Sequence, residues 1–355
     1  MTRGQHTLAE INSQPEVWAE AVAYFRGLAA RSRQAWAALQ PRQVVVTGCG
    51  STYYLAQVAA ALLQGLTGIP ARGAPASEIL FFPEQVIHDP AGTLLLVVSR
   101  SGTTTESVAA MEKFRRLGGK AIWGITCYGK TPVAVESDLT LLAEMAQEQS
   151  VAQTRSFSTM LLLAQGAAAA AAGQDLSPLE RLPRLCRELL DGYGALGEQL
   201  ATAPGHERFF FLGSGPQYGV ACEAMLKMKE MSITHSEAYH FLEFRHGPKA
   251  LVDEQTVVAG LLSGQARAHE ATVLREMGEM GAKTLALAPG GLAGEEEPGR
   301  RQVALPEELP AWCRPALYLP ILQRMGYARA IHKGLDPDNP RNLSAVIYLD
   351  PAGLV

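Results

Sequence analysis

"VVVTGCGSTYYLA" (44–56) and "FFFLGSGPQYGVA" (209–221) share one plan. Each is a short apolar run, then a glycine-rich turn, then the start of an amphipathic helix. Set against each other they match at Gly48/Gly213, Gly50/Gly215, Tyr53/Tyr218 and Ala56/Ala221. Either the chain carries an internal duplication, or a strand–glycine–helix turn selects those glycines wherever it occurs. Working outward, "TLLLVVSRSGTTTESVAAMEKFRRLGG" (93–119) repeats the plan, with a strand at 94–98, a polar turn at 99–105 and a helix at 106–117. "KAIWGITCYG" (120–129), "TVVAGLLS" (256–263) and "KTLALAP" (283–289) read as further strands. Strands alternating with helices call for parallel sheets covered on both faces, an α/β fold. The length of 355 residues exceeds one ordinary core and fits two domains of about 150–180 residues. We place them at 1–195 and 196–355.

Apolar residues make up 47% of the chain and charged residues 19%, enough for two sizeable cores. The net charge of −4 and pI near 6.1 argue against a nucleic-acid partner, which needs a basic surface. An anionic ligand must therefore be held by local features. The five cysteines are scattered and form no C-x-x-C, the pattern of reduced thiols in a cytosolic protein. "MTRGQHTLAEINSQPEVW" (1–18) has no apolar leader core. The most apolar run, "MLLLAQGAAAAAAG" (160–173), is too short to span a membrane and reads as a buried helix. No residues show metal-ligand spacing, so no metal is expected. "GCGSTY" lacks the third glycine of a dinucleotide fingerprint and no G-K-[ST] follows "SRSG", so no cofactor is expected either.

Two stretches carry chemistry. In "SRSGTTTES" (99–107) short hydroxyls surround Gly102 where a strand turns into a helix. Backbone N–H groups and the positive helix end favour an anion there, and glycine allows close approach, so the loop can cradle phosphate. Equally, Thr103 or Thr104 can cap the helix with Glu106 in its first turn. Ser51 and Thr52 lie at a neighbouring strand end and can converge on the same crevice. Cys49 has no base supplied by the sequence and reads as a small turn residue, not a nucleophile. In "LKMKEMSITHSEAYHFLEFRHGPKAL" (226–251), Lys227 and Glu230 continue from Glu223 at i, i+4 and i+7 of one helical face, flanked by Met225, Met228 and Met231. Such a stripe is a solvated salt-bridged face or, if enclosed, a general base with a polar partner. His235, Glu237, Tyr239, His240, Glu243 and His246 follow.

Together these residues resemble the two-domain sugar isomerase (SIS) proteins. The likeness is to the isomerase half of glutamine–fructose-6-phosphate aminotransferase and to fructosamine-6-phosphate deglycases and amino-sugar-phosphate deaminases. It runs from "EINSQP" (10–15) through "GCGSTYY", "ASE" (76–78), "SRSGTT", "SVAQTRSFST" (150–159) and the 212–248 segment to "KGLDPDNPRNL" (333–343). The resemblance implies two flavodoxin-like αβα layers with five-stranded parallel sheets. It implies that Ser51, Thr52, Ser99, Ser101 and Thr104 hold a sugar phosphate. Cys49, Gly50, Val151 and Ala152 then lie beside the sugar. Glu230 moves a proton between C1 and C2, Lys227 belongs to the same site, and His246 opens the sugar ring from the second subunit of a homodimer.

Three departures accompany the likeness. The isomerase-like portion begins at once, so no glutaminase portion is expected before it. "PRNLSAVIY" carries Ser344 and Ala345 where the synthase pattern has a lysine. Arg100 replaces a neutral amide; it either pairs with phosphate bidentately or lies at the surface. We therefore expect a deglycase or deaminase acting on phosphorylated amino sugars. The alternatives are an ammonia-dependent glucosamine-6-phosphate synthase and a non-catalytic phosphosugar sensor.

Overall fold

The computed structural model describes residues 3–292 and 299–350. It contains ten strands: β1 Gln43–Gly48, β2 Ala71–Pro75, β3 Thr93–Val98, β4 Ala121–Thr126, β5 Leu139–Leu142, β6 Arg208–Gly213, β7 Ser236–His240, β8 Thr256–Leu261, β9 Lys283–Pro289 and β10 Arg300–Leu305. They form two five-stranded sheets, ordered β2-β1-β3-β4-β5 and β10-β9-β8-β6-β7. All pairings are parallel, with Val44 opposite Leu94 in one sheet and Phe209 opposite Val257 in the other. Read from the first strand of each set, both orders are 2-1-3-4-5, the flavodoxin-like order. The two halves thus repeat in topology as well as in sequence.

Every residue of β3, β4 and β8 is buried, which is why these strands read as continuous apolar runs. One core forms around Val45, Leu95, Met111, Phe114 and Ile122, and another around Phe210, Phe241, Phe244, Val258, Leu274 and Met277. Each such side chain contributes roughly 1.5–3 kcal/mol on burial.

The chain divides into two compact units. One contains β1–β5 and comprises Ser13–Glu148, Arg155–Pro183 and Ser344–Val355. The other contains β6–β10 and comprises Met1–Asn12, Gln149–Thr154 and Arg184–Leu343. These are not the consecutive segments 1–195 and 196–355: the boundary falls at Pro183/Arg184, near the start of the helix Leu182–Thr202, and residues 1–12, 149–154 and the stretch after 343 each join the unit that does not flank them in sequence. No helix among the described residues is long and apolar enough to cross a membrane.

The matched glycines have a physical reason. A Cβ on Gly48 would lie 2.6 Å from the Thr52 backbone, and one on Gly213 2.4 Å from the Gln217 carbonyl. Gly50 and Gly215 both start helices with positive φ, +57° and +56°, a conformation that glycine adopts without a Cβ clash. Gly48→Ala is expected to lower stability by about 1–3 kcal/mol through overpacking. Gly65→Ala, where an added Cβ meets nothing within 4 Å, is expected to be neutral or to stabilise by up to about 1 kcal/mol. Thermal denaturation of the two variants checks the contrast; equal effects would mean that the close approach at Gly48 is not what constrains the turn.

Candidate active site

In the β1–β5 sheet the chain leaves β1 and β3 towards opposite edges. The crevice beyond their carboxyl ends is the ordinary ligand position of such a sheet, and the loops 49–52 and 99–104 border it. Ser99 Oγ lies 3.3 Å from Thr104 Oγ1, and Ser101 Oγ lies 3.4 Å from the same atom. Ser99 accepts the Gly102 N–H at 3.1 Å, and Ser101 accepts the Thr103 N–H at 3.2 Å. Gly102 has φ +68°, and a Cβ there would fall 2.0 Å from Thr131 Oγ1. Thr104 is the residue before the helix Thr105–Arg116, yet its hydroxyl makes no capping hydrogen bond. It turns to Ser99 and Ser101 instead, so the loop gathers three hydroxyls at a helix start.

Ser51 and Thr52 are buried at the start of the helix Ser51–Thr67. Thr52 Oγ1 accepts the Cys49 N–H and donates to the Cys49 carbonyl, both at 2.9 Å. It therefore shapes the turn that carries Cys49 and Gly50. The Cys49 thiol is 3.7 Å from Ser107 Oγ. Burial pushes it up to about 11, so it stays protonated at neutral pH, in keeping with its reading as a turn residue rather than a nucleophile.

Arg100 is nearly buried, at 9% exposure, and is not a surface arginine. One guanidinium nitrogen lies 3.4 Å from Glu148 Oε2. Another donates to the Ala345 carbonyl at 3.2 Å. Glu148 also accepts from the Ser156 N–H and hydroxyl. The Leu349 N–H donates to Thr105 Oγ1 at 3.1 Å, so residues 345–349 run beside the hydroxyl loop.

In the β6–β10 unit the helix Pro216–Ser232 carries Glu223, Lys227 and Glu230 on one face. It is not a solvated stripe. The Glu223 and Lys227 side chains are 0% and 1% exposed, while Glu230 retains 20%. Lys227 Nζ lies 3.4 Å from Glu223 Oε1 and hydrogen-bonds Glu230 Oε2. Taking an ammonium out of water costs several kcal/mol unless opposite charge and hydrogen bonds offset it; here two carboxylates do so. The outcome is a carboxylate held by a buried cation and still open to solvent, the arrangement of an oriented proton acceptor. Glu223 was absent from the site residues expected from sequence. Its i, i+4 spacing from Lys227 was a visible signal, but its burial was not.

The Val151 N–H donates to the Asp338 carbonyl at 3.0 Å. Ala152 packs with Met231 and Ala330, which places it against the residue after Glu230. His246 is exposed and follows the turn Glu243–Arg245, which Arg245 anchors to Glu276 at 2.8 and 2.6 Å. No hydrogen bond or ion pair joins His246 to Lys227 or Glu230 among the described residues. The other titratable groups of 235–246 pair locally. Tyr239 donates to Glu237, and that bond pushes the phenol up to about 12. His240 stacks on Tyr218 with ring centroids 3.8 Å apart, and burial pushes its imidazole down.

Lys227→Met is expected to destabilise the protein by about 3–5 kcal/mol, because it leaves the Glu223 carboxylate buried without its ammonium. Adding Glu223→Gln should recover part of that loss in urea denaturation. An equal loss in the double variant would mean that the two charges do not balance each other.

Likeness to known proteins identifies the family. The SIS domain model matches residues 39–170 and 205–291. Glutamine–fructose-6-phosphate aminotransferase [isomerizing] of Pseudomonas syringae pv. tomato is 33% identical over 325 residues, covering 87% of this chain and 52% of that protein. The Symbiobacterium thermophilum enzyme of the same name is 32% identical with the same coverage. The chain thus spans about half the length of the curated relatives it matches. Among solved structures, glucosamine-6-phosphate deaminase from Thermotoga maritima superposes with a TM-score of 0.78 at 28% identity, covering 97% of this chain and 100% of that one. Tagatose-6-phosphate ketose/aldose isomerase from Escherichia coli superposes with a TM-score of 0.84 at 25% identity, covering 96% of each. With one matched segment in each five-stranded sheet, the chain belongs to the SIS domain family as a tandem, phosphosugar isomerase-type member.

Proposed function

We propose that the chain is an enzyme that shifts a proton between C1 and C2 of a 6-phosphorylated amino sugar or fructosamine and works in the degradative direction. The observation that carries this reading is Glu230, partly exposed and fixed by the buried Lys227 ammonium. With an open-chain 2-amino aldose, Glu230 takes the C2 proton to give an enolamine. It returns a proton at C1, and water then displaces ammonia from the C2 imine to leave a ketose phosphate. With a fructosamine the proton moves from C1 to C2, and hydrolysis of the C1 imine releases the amine and an aldose phosphate. Lys227 stabilises the oxyanion character that develops on the way.

Ser51, Ser99, Ser101 and Thr104 hold the phosphate in this proposal, with Thr52 setting the turn. The backbone of Cys49, Gly50, Val151 and Ala152 lies beside the sugar. Arg100 faces Glu148 and the Ala345 carbonyl, which supports a role in holding the C-terminal segment near the phosphate loop. His246 opens the sugar ring from the second subunit of a homodimer; its exposure supports that role. Ala345, where the synthases' pattern has a lysine, favours degradation over synthesis, as does the likeness to a deaminase along its whole length.

Deuterium exchange at C1 or C2, followed by ¹H and ³¹P NMR with glucosamine-6-phosphate and with fructoselysine-6-phosphate, tests the reading. Glu230→Gln should lower exchange by roughly 10²–10⁴-fold while phosphosugar binding persists. Equal loss of both would make Glu230 structural. Ser99→Ala with Ser101→Ala should raise KM about tenfold or more, since hydrogen bonds to a charged group are worth about 1.5–3 kcal/mol each. An unchanged KM would move the phosphate elsewhere. Binding without exchange by the wild type would favour a sensor, and ammonia-dependent amination of fructose-6-phosphate a synthase.

A further inference from the structure

Residues 149–154 join the β6–β10 unit although the chain on either side belongs to the other unit. The segment contains no charged side chain, yet two buried acidic residues organise it, Glu10 through its carboxylate and Asp338 through its main-chain carbonyl. Glu10, 3% exposed, accepts the Gln149 N–H at 2.6 Å and the Ser150 N–H at 3.3 Å through one oxygen. Asp338, 7% exposed, accepts the Thr7 N–H and hydroxyl at 2.7 Å and the His6 N–H at 3.0 Å. It thereby fixes the first turn of the helix Gln5–Asn12, which carries Glu10. The Asp338 main-chain carbonyl takes the next N–H of the segment, that of Val151, at 3.0 Å. Ser150 Oγ then closes on the Ala152 carbonyl at 2.7 Å. Three consecutive backbone N–H groups, 149 to 151, thus end on two residues from opposite ends of the sequence. Beyond them, Ala152 rests on Met231, the residue after Glu230.

A carboxylate removed from water is costly unless several donors meet it. An apolar loop packed on a helix could be built without that cost, so the two acids mark a loop whose backbone direction matters. We infer that Glu10 and Asp338 are positioning residues that fix the 149–152 backbone against the end of the Glu230 helix, so that the Val151–Ala152 peptide holds the substrate carbons in line with the Glu230 carboxylate. The inference rests on the proton-transfer reading of Glu230. It concerns turnover, because the two acids act on the backbone beside the Glu230 helix.

Amide hydrogen exchange and steady-state kinetics on Glu10→Ala, Glu10→Gln and Asp338→Ala test it. Glu10→Ala should speed exchange at the Gln149 and Ser150 amides by tenfold or more. Its kcat should fall at least tenfold while KM for the phosphosugar changes less than about twofold. Asp338→Ala, which keeps the main-chain acceptor of Val151 but removes the acceptor of the His6 and Thr7 N–H groups, should loosen the helix that carries Glu10 and so speed exchange at Gln149 and Ser150 as well. Glu10→Gln keeps a carbonyl acceptor in place and should restore both protection and most of kcat, even if the alanine variants fold poorly. Unchanged protection in Glu10→Ala, or lost protection with kcat intact, overturns the inference, as does a Glu10→Gln variant as impaired as Glu10→Ala. If the wild type exchanges no proton on any phosphosugar, the proposed function and the inferred catalytic positioning both fail. Faster amide exchange with proton transfer intact in the variants would sink the positioning alone.

Discussion

A helix that starts two or three residues after a buried strand ends leaves almost no room for side chains at the junction. Gly48 and Gly213 meet this limit by lacking a Cβ against the next helical turn, and Gly50 and Gly215 by taking positive φ. Much of the fold's usefulness follows. Because the turn is tight, the helices Ser51–Thr67 and Pro216–Ser232 start at the carboxyl edges of their sheets. Because β1 and β6 send the chain one way while β3 and β8 send it the other, each sheet opens a crevice at that edge. Glycine at these four places is therefore a condition for having a crevice at all.

The two crevices are then used differently. In the β1–β5 unit the loop after β3 supplies Ser99, Ser101 and Thr104 around Gly102. In the β6–β10 unit the loop after β8 meets an internal anion: Glu270, 1% exposed, accepts the Ser263 N–H at 2.6 Å and the Ser263 hydroxyl at 3.1 Å. Burial pushes that carboxyl up despite these donors. The polar backbone at the second sheet edge is thus matched within the chain, and the repeat keeps its shape without keeping the hydroxyl cluster of the first. The Glu223, Lys227 and Glu230 charges of this unit lie instead on the helix Pro216–Ser232, with Lys227 and Glu230 about three and four turns beyond the glycine turn. The duplicated tyrosines diverge in the same way: Tyr53 packs near Tyr54, whereas Tyr218 stacks on His240.

How far the sequence discloses this depends on what each residue has to satisfy. Strands buried on both faces must be continuous apolar runs, so β1, β3, β4, β6, β8 and β9 were readable. Four strands at or near the sheet edges were not read residue by residue: "ARGAP", "LTLL", "SEAYH" and "RRQVAL" are short, polar or partly exposed. Their number came from the resemblance. The division into units was misplaced because local pattern does not report that residues 149–154 and the two chain ends each join the unit that they do. Within the site, residue types were legible but burial was not. The spacing of Glu223, Lys227 and Glu230 suits a solvated stripe and a buried triad equally well, and tertiary packing alone decides between them. Thr104 was a plausible cap by type, yet its hydroxyl has other partners.

Burial also sorts the charges by task. Arg100 against Glu148, Lys227 between Glu223 and Glu230, and the carboxylates of Glu10 and Asp338 on backbone N–H groups are all removed from water. Neither hydrophobic core cluster contains any of them. Each lies where a loop or helix face must keep one geometry, and replacing such pairs with apolar side chains is often neutral or stabilising for folding alone. Stability therefore does not account for them. Direction does: an ion pair or a carboxylate on two N–H groups specifies where a peptide points, which apolar packing does not. Arg100 aligns the hydroxyl loop with the residue 345 carbonyl, and Lys227 aligns the one carboxylate of its triad that reaches solvent. In a chain whose cores would fold with ordinary apolar packing, the buried charges are the part of the structure that fixes direction.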